Sequence, residues 1–199
     1  MTAFFSRCCR SCSRLLAPAA FALSLLAAAP AQAEGIEVRN AALVAGDEGY
    51  FLEADFEIAL NPTLEEALNK GVSLYFLLEF EVIRPRWFNV FGLGFLNEKV
   101  VNTQQQYRLS FNPLTRQYRL GVGSLFQNFG SMSEALDFLS RVRRRQVLEL
   151  GVLSKGNTYS AAVRMRLDVS QLPKPFQLNA LASRDWNFGS EWHRWSVTP

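Results

Sequence analysis

The chain has 199 residues, 49% of them hydrophobic and 20% charged, with 21 basic and 18 acidic side chains, three cysteines and one histidine. A chain of this length suits a single domain that buries roughly 70% of its unfolded surface and needs no staple. The lone histidine, His193, excludes a multi-histidine metal site and would have to serve any Ser-His-Asp triad by itself.

The first element is a leader. Arg7, Arg10 and Arg14 make a basic start, residues 15–29 are uncharged and apolar, and Ala31-Gln32-Ala33 follows. These are the three regions of a secretory signal with a small-residue cleavage site. The apolar run, about fifteen residues with Pro18 inside it, falls short of the roughly twenty that span a bilayer. Cleavage after Ala33 is therefore expected, dividing the chain into a signal peptide, 1–33, and one domain, 34–199. Cys8, Cys9 and Cys12 all lie in the signal, so the exported part is expected to have no disulfide, no thiol nucleophile and no thiolate metal ligand. Export without disulfides is compatible with a bacterial periplasm. The leader holds three of the 21 basic residues and no acid, which leaves 18 against 18 in the domain. The pI near 8.9 belongs largely to the leader, and no nucleic acid partner is expected of so balanced a domain.

Beyond Glu34, alternation of apolar and polar residues dominates. Strands are expected at about 36–45 and 50–60, joined by Gly46-Asp47-Glu48-Gly49. In the second, Leu52, Ala54, Phe56 and Ile58 share a face opposite Glu53, Asp55 and Glu57. Asn61 then caps a short helix with Pro62 in its first turn, Leu64, Ala67 and Leu68 as its stripe and Gly71 at its end. Val72, Leu74, Phe76, Leu78, Phe80 and Val82 form the apolar face of the next strand, with Ser73, Glu79 and Glu81 as its solvated side. Residues 101–111 alternate likewise, and Asn112-Pro113 turns them into a strand at 118–122. Ser131 and Glu134 make a capping box for a second helix, in which Met132, Ala135, Leu136, Leu139 and Val142 recur at helical spacing.

Residues 147–153 are expected to form a hairpin with a strand beginning at Thr158, through Ser154-Lys155-Gly156-Asn157. In that strand Tyr159, Ala161, Val163, Met165 and Leu167 face away from Arg164, Arg166 and Asp168. Pro173-Lys174-Pro175 reads as a rigid exit from it, and His193 falls in a C-terminal strand. Roughly eight strands, each with one wet face, predict a mainly antiparallel β-sandwich, immunoglobulin-like, with a partly open barrel as the alternative and two short helices.

Several segments of this order carry a family likeness when taken together. They are Glu66-Ala67-Leu68 leading through Gly71 into 72–76, Arg84-Pro85-Arg86-Trp87, and Leu114-Thr115-Arg116-Gln117-Tyr118-Arg119. Glu134-Ala135-Leu136, Leu167-Asp168 with Leu172-Pro173-Lys174-Pro175-Phe176, and the late Trp186, Trp192 and Trp195 complete the set. With them, nearly all of the exported part resembles a proteobacterial family known as domain of unknown function 4390. The resemblance implies an exported envelope protein, carries over no catalytic residue, and puts a membrane sensor kinase among the expected protein partners.

Two stretches are candidates for binding. Residues 87–96 hold seven large apolar side chains beside Gly92 and Gly94. They suit a buried hairpin or, if they project, a patch for a partner or a membrane, with Trp87, Phe88, Phe91 and Phe95 as anchors. Arg84 and Arg86 beside them can meet phosphate or carboxylate. The second stretch is Arg141, Arg143, Arg144 and Arg145, expected at the end of the second helix, where cations complement the dipole. As a site, Arg143, Arg144 and Arg145 would take an acidic partner or lipid headgroups. Gly92-Leu93-Gly94 lacks the lysine and the strand-to-helix setting of a phosphate loop. Glu79 and Glu81 are the carboxylate pair open to glycosidase-like chemistry.

No catalytic residue, metal ligand or cofactor is assigned. The expected function is a non-enzymatic periplasmic binding module of the cell envelope, with peripheral membrane contact as an accompanying expectation. Its rivals are a carboxylate-dependent hydrolase of an envelope polymer and a small-molecule sensor. An apolar cavity between the sheets would favour the sensor, and carboxylates converging in a groove the enzyme.

Overall fold

The computed structural model describes residues 35–87 and 95–199, side chains excepted at 85–87, 95–97, 179 and 181. Strand β1 (Gly35–Gly46) turns at Asp47-Glu48 into β2 (Gly49–Ala59), and the two pair in register from Gly35 opposite Ala59 to Gly46 opposite Gly49. Helix α1 (Pro62–Asn69) follows as its cap residues dictate: the Asn61 side chain accepts from the Leu64 N–H at 2.9 Å, and Pro62 occupies the first turn, where no donor is missed. Next comes a long hairpin of β3 (Leu74–Trp87) and β4 (Phe95–Asn112), then β5 (Gln117–Val122) and β6 (Leu125–Phe129). Helix α2 (Met132–Leu139), β7 (Arg141–Glu149) and β8 (Tyr159–Leu167) come before α3 (Lys174–Ala182) and a last strand, β9 (His193–Val197).

Every pairing is antiparallel. The strands form two sheets, one in the order β1-β2-β7 and one in the order β6-β5-β4-β3-β8-β9. They make a two-layer sandwich whose core is fed from both: Leu52, Ala54 and Phe56 from β2 meet Phe76, Leu78 and Phe80 from β3, Leu109 from β4, and Val163 and Met165 from β8. The predicted sandwich is therefore the observed architecture. The strands of the described residues divide into two separate sheets, neither of which closes on itself, so there is no closed barrel among them.

Four local expectations are corrected. The second helix ends at Leu139: Ser140 donates its N–H to the Leu136 carbonyl, while its own carbonyl accepts from Phe56 N at 2.8 Å and draws the chain onto β2. Arg141, Arg143, Arg144 and Arg145 thus belong to a strand, not to a helix terminus. Strand β7 then pairs with β2, so the Ser154-to-Asn157 link crosses between sheets instead of closing a hairpin with β8. Pro173 and Pro175 do not merely exit a strand. They open a third helix, α3, in which the Pro173 carbonyl accepts from Phe176 N and Gln177 N. Finally, among the described residues β6 is a ninth strand, only five residues long and without apolar-polar alternation, Leu125 and Phe126 being adjacent and followed by Gln127 and Asn128.

Three strands cannot cover six. With neighbours about 4.8 Å apart, the smaller sheet leaves the inner side of the β4-β5-β6 end to be filled by something else. Helix α2 fills part of it, packing Ala135 and Leu139 into the core. What remains open is the site.

Candidate functional site

The open part is a groove of about 880 Å³ bounded by α2, by β7, and by the inner face of β4, β5 and β6. Tyr107, Val122 and Phe129 come from the larger sheet, Phe138 from the lip of α2, and Val142 from the buried side of β7. Strand β7 has β2 on one side and, among the described residues, no strand on the other, so it forms the wall as an edge. Its pairing with β2 is interrupted twice, between Tyr50 and Phe51 and between Leu52 and Ala54, and Arg144 sits at a φ of 46° in the same stretch. This irregularity decides where each arginine goes, because an extra residue turns the following side chains to the other face.

Arg141, Arg143 and Arg145 line the groove, whereas Arg144 lies over the Phe51 ring at 5.6 Å. Arg143 is committed to Asp55 by an ion pair and to the Ala54 carbonyl at 3.3 Å. Arg141 and Arg145 have no carboxylate within ion-pair distance among the described residues. Arg145 is half-buried and acts on Tyr107: burial raises the phenol of Tyr107 above its ordinary value, and the guanidinium partly offsets that shift. The groove thus joins an apolar floor to cations that are only partly neutralised.

Two carboxylates, Glu134 and Asp137, also line it. They stand one turn apart on the same helix and so on one wall, unlike a hydrolase pair flanking a bond from two sides. Glu134 also serves the helix start, accepting from Gly130 N at 3.1 Å while Ser131 Oγ accepts from Glu134 N at 3.2 Å. Among the described residues, no three His, Cys, Asp or Glu side chains come together in a way that could hold a metal ion.

The other sequence candidates lie elsewhere. Arg84 is half-buried near the far end of β3, ion-paired to Glu98 at 2.8 Å. The backbones of Arg86 and Trp87 pair with Leu96 and Phe95 across the hairpin, while Phe88 and Phe91 lie outside the described residues. Glu79 and Glu81 are not solvated: only 6% and 5% of their surface is exposed. Glu79 accepts from Arg164 and, at 3.1 Å, from Arg166, and Glu81 meets Lys99 at 3.0 Å. Burial pushes Glu79 up, but the hydrogen bonds and charges of the two arginines outweigh it and hold the carboxyl below its usual value. His193 is half-buried with its ring 5.9 Å from that of Trp195.

A two-sheet antiparallel sandwich with an open, cation-walled groove is the class of protein these features define. The chain belongs to the family described as domain of unknown function DUF4390, which matches residues 33–196. Neither the curated proteins nor the solved structures offer a match to it.

Proposed function

We propose that this chain is an exported periplasmic protein of the cell envelope that binds a partner without transforming it, and that the groove walled by β7 is where it binds. The observation that carries the reading is the combination, in one open volume, of an apolar floor with Arg141 and Arg145, which have no carboxylate partner among the described residues. Such a site fits an acidic protein segment that also offers an apolar side chain. The cations and the bulge on β7 work against indiscriminate strand addition, so selection falls to charge and to the floor. The hydrolase alternative is weakened at both acid pairs: Glu79 is buried and held ionised, and Glu134 and Asp137 share one wall. The sensor alternative draws support from the volume, which lies within the roughly 300–1,000 Å³ of small-molecule sites.

Site-specific photocrosslinking in intact cells tests the reading. A crosslinker at Phe138, on the lip of the groove, should trap a discrete protein, and one at Leu114, 96% exposed in the β4-β5 turn, should not. Arg145→Glu should remove the Phe138 adduct. Equal trapping at both positions would reject the groove, and a small-molecule adduct at Phe138 alone would favour the sensor.

A further inference from the structure

Register assigns the outer face of the six-stranded sheet without ambiguity, because directly opposed residues share a face. Glu79 lies opposite Gln104 and Arg164, Leu77 opposite Arg166, Tyr75 opposite Arg108, and Ile83 opposite Lys99. The same face continues outward through Ser110 opposite Arg119, Gly121 opposite Phe126, and Ala162 opposite Arg194. Six cations therefore share one side of one sheet. The carboxylates of that face among the described residues are Glu79 and Glu81, and both lie beneath the cations that pair with them. The acids nearest its borders, Asp168 and Glu191, stand beyond strand ends, and Asp168 is hydrogen-bonded to Ser170.

The cations are held in place by rings. Arg108 lies over Tyr75 at 5.7 Å, Arg119 over Phe126 at 5.4 Å, and Arg164 and Arg194 over Trp192 at 4.4 and 5.8 Å. Stacking fixes a guanidinium without neutralising it, and the donors not already given by Arg108 to Ser73, by Arg119 to Asn128 and by Arg164 to Glu79 stay open to an oxyanion; Arg194 also comes within 4.0 Å of Glu81. At one border Phe126, 56% exposed and opposite Gly121, adds apolar reach to this face, while Leu125, opposite Val122, stands on the other. Since the domain beyond the leader balances 18 basic against 18 acidic residues, this concentration of cations leaves the remainder acidic and would orient the molecule in a field.

We propose that the outer face of the six-stranded sheet docks on an anionic phospholipid surface. Six strands at about 4.8 Å spacing give a cationic face roughly 24 Å across, broad enough for a plane of headgroups, and no residue lining the groove belongs to it. Guanidinium forks meet phosphate, and Phe126 reaches the interface beside them.

The test is flotation with vesicles of phosphatidylcholine alone and of equimolar phosphatidylcholine and phosphatidylglycerol, using the protein as recovered from cells. Binding to the neutral vesicles measures whatever an apolar leader contributes by itself. The proposal expects added binding to the anionic vesicles that collapses as salt shortens the Debye length. R108Q/R119Q/R194Q removes three exposed cations; it gives up the 4.0 Å contact of Arg194 with Glu81 but leaves the shorter Lys99 pair on Glu81, and Arg164 and Arg166 on Glu79. It should lower anionic-vesicle partitioning by about 100-fold, at roughly five-fold per cation. R108K/R119K/R194K should keep most of the partitioning, because a membrane surface reads charge. Equal binding to both vesicle types, insensitivity to salt, or loss of binding in the lysine variant would overturn the proposal.

Discussion

Arg166 on β8 donates from Nε to Oε2 of Glu79 on β3 at 3.1 Å, although the residue directly opposite Glu79 is Arg164, which donates to the same oxygen. One carboxylate thus gathers a direct and a diagonal neighbour, and Gln104 Nε2 takes its other oxygen at 3.2 Å. The arrangement turns a strand's polar side into a covered ion cluster. Because the folded state holds Glu79 below its ordinary value near 4.5, the unfolded chain binds the proton more readily. The cluster's contribution to stability is therefore complete above that value and is lost as pH falls through the folded value. Thermal melting against pH should show a decline below about pH 4.5 that is shallower in Glu79→Gln. An identical acid limb in that variant would show that the carboxylate does not carry it.

The same cluster changes what a control substitution means. Phe76, fully buried and 6.4 Å from the ring of Phe188, should cost about 3–5 kcal/mol when cut to alanine. A surface arginine would ordinarily cost far less. R164A/R166A instead strands a buried charge and should cost about 3 kcal/mol, the low end for breaking a buried pair because both guanidinium groups are partly exposed. Each single variant should cost clearly less, since the other arginine still holds Glu79. Chemical denaturation of the three would settle the order.

Strands β2, β3 and β8 were legible because a half-buried strand must alternate, and each does so over most of its length. The first part of strand β7, before Val147, was hidden for a physical reason. Its bulges and the left-handed Arg144 break the two-residue period, and Val142 happens to extend the stripe of the preceding helix. The arginines consequently looked like a dipole-complementing terminus. The groove could not be foreseen, because it arises from unequal sheet widths, and strand order is not written in local periodicity. For Glu79 and Glu81 the face was read correctly and only its covering was missed, since Arg164 and Arg166 come from a strand 85 and 87 residues away. Prolines 173 and 175 did carry a helix-start signal, which the reading of them as an exit passed over.

Gly49 should be the least replaceable glycine of the smaller sheet. Its φ is 150°, and an added Cβ would collide with the backbone carbonyl of Leu148 on β7. Gly71, with a φ of 87°, has open space around it. Gly71→Ala should cost about 1–2 kcal/mol from backbone conformation alone, and Gly49→Ala should cost more and loosen the β2-β7 pairing as well. Amide exchange along β7 is the check, with unchanged protection in Gly49→Ala counting against the close approach.

Export is tested by mass. The protein recovered from the periplasm should begin at or near Glu34, and its melting midpoint should ignore reductant, because Cys8, Cys9 and Cys12 all precede that point. An intact N-terminus on a membrane-bound form would contradict the proposal.

Tyr107 offers a way to read the groove without knowing its occupant. Burial raises its phenol, and the charge of Arg145 pulls in the opposite direction, so a folded chain keeps the neutral phenol to higher pH than an unfolded one. Stability from this group is present below the ordinary value near 10 and is lost as pH rises through the folded value. Arg145→Gln removes the opposing charge and should move the Tyr107 phenolate transition upward, while the far-ultraviolet spectrum at neutral pH stays the same. Tyr107→Phe identifies which of the tyrosine transitions is involved. If the transition keeps its place in Arg145→Gln, the guanidinium does not act on the groove floor, and the charge selectivity proposed for the groove loses its basis.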